Sequence, residues 1–135
     1  MRFLFFLILP IFIYSQQIEF RKIFERAVFQ EVSCDSIIDF CKGKINQKCE
    51  AYLGAALILK AKHVNSPISK LSFFRKGRKK LDDVIDKNPN FVEYRWLRYS
   101  LQKNAPSFLN YNKNLNMDSL SISMYGNNFQ KRILK

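Results

Sequence analysis

Gln47–Lys62, which reads QKCEAYLGAALILKAK, decides the fold. Asn46 stands before it as a helix N-cap, and the stretch from Ala51 to Leu59 carries apolar or small side chains on every side of a helical wheel. A helix apolar all round is packed on more than one side, and this one is too short to cross a bilayer, so it is expected at the centre of a core. No convincing strand-like alternation and no Asn-Gly or Asp-Gly hairpin turn occurs elsewhere in the chain. The expectation is therefore an all-α domain.

N-terminal to this centre, Gln17–Glu31 places Phe20, Ile23, Phe24, Ala27 and Val28 on one stripe, and Ser33 is expected to cap a short helix carrying Ile37, Ile38, Phe40 and Cys41 before Lys42-Gly43. On the other side, Val64–Pro67 reads as a break before a helix over Ser69–Lys87, with Leu71, Phe74, Gly77, Leu81, Val84 and Ile85 on its inner face. A glycine inside a helix costs about 1 kcal/mol relative to alanine, so Gly77 is expected to mark the close approach of a neighbour. Asn90, after Asn88-Pro89, is read as the cap of a helix over Phe91–Lys103, and Ala105-Pro106 as its end. The turn Phe108-Leu109-Asn110-Tyr111 follows, Asp118 is read as the cap of a short last helix, and residues 126–135 as a frayed basic tail.

The 135 residues carry a net charge of +12, with one His, one Trp, three Cys and four Gly. Four glycines leave little for phosphate-cradling loops, and the single imidazole, His63, removes His-pair metal sites; no cofactor or metal is expected. At the N-terminus, Arg2, the apolar run Phe3–Ile13 and the small residue Ser15 read as a secretory signal peptide over residues 1–15, with an uncleaved anchor as the competing reading. Its removal leaves 120 residues at +11, with an all-α domain over 16–125. The location implied is the periplasm, with secretion beyond it the alternative, and no membrane-spanning segment is expected after cleavage.

Gly77, Leu81, Val84 and Pro89 resemble the second helix of a tetratricopeptide unit, and Leu53-Gly54 resembles the Leu-Gly pair of its first helix, although about 11 extra residues separate the two. Leu71–Met117 is also similar to a group of small exported helical proteins of flavobacterial type. The shared features are Asn88-Pro89, Arg95-Trp96-Leu97-Arg98, Ala105-Pro106 and Phe108-Leu109-Asn110-Tyr111. Asn110 replaces the group's glycine, and asparagine is the next most tolerant residue of a left-handed backbone. The two resemblances imply stacked antiparallel helix hairpins, about five to six helices in all, and imply no activity.

Four groups of residues could carry chemistry. Cys34 and Cys41 are seven apart, or about 10 Å along one helix, whereas Cys41 and Cys49 fall symmetrically about Ile45, so Cys41–Cys49 is the expected disulfide, with Cys34 a buried thiol. Arg75, Lys76, Arg78, Lys79 and Lys80 occupy the faces left over by the apolar stripe, which describes a solvated face first and a binder of anionic lipid or polysaccharide second. Export argues against nucleic acid as partner. Arg95 and Arg98, among Glu93, Tyr94 and Tyr99, suit carboxylate or phosphate recognition, but the preferred account has their guanidinium groups bonding to the Phe108–Asn114 turn. Asp82, Asp83 and Asp86 are expected to pair with Lys79, Lys80 and Lys87 along one helix, and His63 to sit at a helix end. No nucleophile has a visible base, so the reading is a non-enzymatic exported protein that binds an envelope protein or peptide through a helical groove.

Overall fold

The computed structural model describes residues 19–135. The signal-peptide reading of residues 1–15 lies outside the described residues. The described chain is all-helical: α1, whose described part spans 19–27, then α2 (Glu31–Cys41), α3 (Gln47–His63), α4 (Pro67–Lys87), α5 (Val92–Lys103), α6 (Leu115–Tyr125) and α7 (Asn128–Lys131). Two 3-10 turns, Ser107–Leu109 and Arg132–Leu134, complete it. Among these residues no helix is long and apolar enough to cross a membrane.

Helix α3 is the centre that its sequence predicts. Asn46 caps it by accepting from the Cys49 amide at 2.8 Å, and Cys49, Ala51, Tyr52, Gly54, Ala55, Ala56 and Leu59 are buried on several of its sides. It packs most extensively on α4, and also on α2 and α5. The close approach expected at Gly77 is against Gly54: a Cβ on Gly77 would lie 2.5 Å from the Gly54 carbonyl oxygen and 2.8 Å from the Ile58 amide. Two glycines thus let two helix backbones touch, and the packing gained there offsets the helix propensity lost.

Several boundaries differ from expectation. Helix α1 ends at residue 27 in a turn where the Phe29 and Gln30 amides donate to the Arg26 carbonyl, and α2 starts at Glu31, so Ser33 is a buried residue of its first turn and not a cap. Pro67 does not break a helix; it occupies the start of α4, where a proline lacks nothing, behind the cap Ser66. Phe91, not Asn90, stands at the α5 cap position. Asn110 takes the left-handed conformation (φ 50°), as the Phe108–Tyr111 turn requires.

The segment 126–135, expected to fray, is docked. Asn127 and Gln130 form a reciprocal capping box, Phe129 packs on Trp96 with ring centroids 5.3 Å apart, and the Ile133 carbonyl accepts from Lys103 at 2.7 Å. An Asn three residues before a Gln is a readable signal for such a helix start.

Candidate functional site

The residues that the sequence offers as a ligand pocket form two closed ionic clusters. Glu93 is 3% exposed, and its carboxylate accepts from Arg21 Nε at 2.7 Å and Nη2, from the Tyr52 hydroxyl at 2.6 Å and from Gln130 Nε2 at 2.6 Å. Burial, and then the adjacent Glu93 carboxylate, push the Tyr52 hydroxyl well above its ordinary pKa. Four donors from α1, α3 and α7 fill this carboxylate and join the first and last of the described α-helices to the centre.

The second cluster is built on Asp118. It was expected as a cap, but α6 begins at Leu115 and Asp118 lies fully buried in its first turn. Arg98 grips it with Nε and Nη2 at 2.7 and 2.9 Å, and Arg95 Nη1 joins at 2.9 Å. Arg98 also reaches Asp82 at 3.2 Å, and Arg95 Nε donates to the Pro89 carbonyl at 2.6 Å. The guanidinium groups therefore bond to α4, α6 and the 89–90 turn, and not to Phe108–Asn114 as expected. Burial opposes the charge on Arg98, but Asp118 and Asp82 overcome it and hold its pKa above the ordinary value. A buried forked pair with a third donor beside it outweighs a cap worth about 1 kcal/mol, which is why Asp118 faces inward.

The other predicted groups are spread out. Lys79 pairs with Asp83 at 2.6 Å as expected, while Asp82 is taken by Arg98 and, at 3.6 Å, by Arg78. Of the five basic residues between Arg75 and Lys80, Arg78 and Lys79 are thus paired along the helix; Arg75 and Lys76 are exposed. His63 ends α3, with Nε2 2.9 Å from the Ala27 carbonyl oxygen. All three cysteines are buried thiols. Burial, and then its neighbour Cys49, push the Cys41 thiol up to about 12. Cys34 is turned away toward the Ala27 carbonyl at 3.4 Å.

Two surface features went unread in the sequence. Helix α6 buries Asp118 and Ile122 but turns Met117, Leu120 and Met124 to the opposite side, 56–60% exposed, flanked by Tyr125 at 71%. These residues, with Pro89, Asn90 and Arg95, line a depression of about 560 Å3. The signal was available: α6, like α3, is apolar on both sides of its wheel. The second feature is a cleft of about 820 Å3 where α1, α3, α4 and α5 converge, with Phe24, Phe74 and Trp96 in its wall. It is assembled from segments far apart in the chain, and no local pattern announces it.

The chain matches no family model, no curated protein and no solved structure.

Proposed function

We propose that this is a non-enzymatic exported binding protein of the cell envelope, related to tetratricopeptide units, which docks an apolar segment of another protein or peptide on the outer face of α6. The observation that carries the reading is the stripe Met117, Leu120, Met124 and Tyr125, an exposed apolar helix face with an adjacent depression. Contiguous exposed apolar surface of this kind marks interaction sites, and methionine adapts its shape to varied partners. The two most buried carboxylates, Glu93 and Asp118, have their oxygens filled by the chain's own donors, which favours a scaffold over a reaction centre. The basic α4 face is the weaker surface, because Lys79 and Arg78 already meet Asp83 and Asp82. On export to an oxidising compartment, Cys41 and Cys49 are the pair to form a disulfide, a thiol oxidant of that compartment taking the two electrons and two protons, and peptide mapping without reductant reads the linkage.

The docking reading is tested by cross-linking in the native envelope. Wild-type protein is expected to give discrete adducts that disappear in the double variant Leu120→Glu, Met124→Glu. An unchanged adduct pattern in a folded double variant would sink the reading.

A further inference from the structure

The 820 Å3 cleft is separate from the α6 face and lies in the size range of small-molecule pockets. Its depth is apolar: Phe24, Leu59, Phe74, Trp96 and Leu101 are each at most 8% exposed, so the hollow reaches the core itself. Of the polar groups on its α5 wall, Ser100 Oγ donates to the Trp96 carbonyl at 2.7 Å and Asn104 Nδ2 to the Ser100 carbonyl at 3.0 Å, while the buried Trp96 Nε1 has no hydrogen-bond partner among the described residues. With Phe24, Leu59, Phe74 and Leu101 around it, the interior suits a predominantly apolar body. Apolar matter seated against this lining removes what remains of its exposed apolar surface from water.

The charges in the lining are two cations and one anion: Lys62 and Lys70 against Glu25, all three exposed. Lys62 places its ammonium group 3.0 Å from the Val28 carbonyl oxygen, which leaves further donors on that nitrogen. A ligand with an apolar chain thus meets a net positive mouth. We propose that the cleft binds one free long-chain carboxylate, with the alkyl chain against Trp96 and Phe74 and the carboxylate at Lys70 and Lys62.

Trp96 is the sole tryptophan of the chain, so its emission reports occupancy without a label. The probe is dibromopalmitate, added below its micelle concentration to the whole protein. The expected result is saturable one-to-one quenching that palmitate reverses. Binding of hexadecanol, and of palmitate to Lys70→Glu, should be about fivefold weaker, the scale of one partly exposed ion pair. Lys70→Arg should retain wild-type affinity, and both variants should keep the wild-type melting temperature, since Lys70 is exposed. No quenching, non-saturable quenching, or equal affinity for acid and alcohol overturns the proposal. So does stronger quenching by vesicles of brominated phosphatidylglycerol than by the free acid, which would make a membrane surface the ligand.

Discussion

Helices α3 and α6 have the same kind of sequence and different fates. Both are apolar or small on opposite sides, yet α3 is covered by α2, α4 and α5, while α6 packs on α5 and leaves Met117, Leu120 and Met124 in water. The difference lies in side-chain size. Gly54, Ala51, Ala55 and Ala56 let neighbouring backbones close in on α3, to the point where Gly54 touches Gly77. The outer face of α6 is built of long, flexible side chains that hold a neighbour at a distance and adapt to it. Apolarity all round means coverage is needed; the size of the side chains says whether the chain's own helices can supply it.

Four substitutions or titrations would break or sharpen this contrast. The largest effect is expected on the inner face of α6. Asp118→Ala leaves Arg98 buried without its forked partner and should cost about 3–5 kcal/mol in urea unfolding. A loss below about 1 kcal/mol would mean that the cluster is solvated and α6 loosely held.

Next comes the helix crossing. Helix propensity alone would make Gly77→Ala stabilising by about 1 kcal/mol. Because the new Cβ would meet the backbone of Gly54 and Ile58, the expected outcome is a loss of about 1–3 kcal/mol, and a gain in thermal stability would refute the tight crossing.

The thiols around α3 give a pH test. Burial pushes Cys34 up to about 11 and, together with the neighbouring Cys49, Cys41 up to about 12, from an ordinary value of 9.0. Above pH 9 the unfolded chain loses these protons before the native one does. Stability in reductant should therefore fall as pH rises from 9 to about 12, and the fall should be shallower in Cys41→Ala. Urea midpoints across that range measure it, and identical slopes for wild type and variant would contradict the burial of that thiol.

The smallest stability effect belongs to the outer face of α6. Leu120→Glu should change stability by no more than about 0.5 kcal/mol while removing partner adducts. A large destabilisation would show that this face is covered within the chain, as α3 is.

The sequence was most legible where the flanking pattern leaves a residue one role. Asn46 capped α3, Asn110 took the left-handed turn, and the glycine in the α4 stripe marked a backbone contact. It misled where two roles stayed open. Asp118 could cap or pair, and the pairing with Arg98 and Arg95 won because a buried fork outweighs a cap. Pro67 could stop a helix or start one. Arg21 and Gln130 stand 109 positions apart, and only folding makes them share Glu93.

By itself the sequence determined the all-helical class, the central place of α3 and the inner face of α4, because helix periodicity and the size of small residues are local properties. The tertiary structure alone decided which carboxylates meet which guanidinium groups, that the last ten residues dock, and that a deep apolar cleft opens between four helices. Those depend on which segments meet in space, and neither spacing nor composition encodes the distance between residues far apart in the chain.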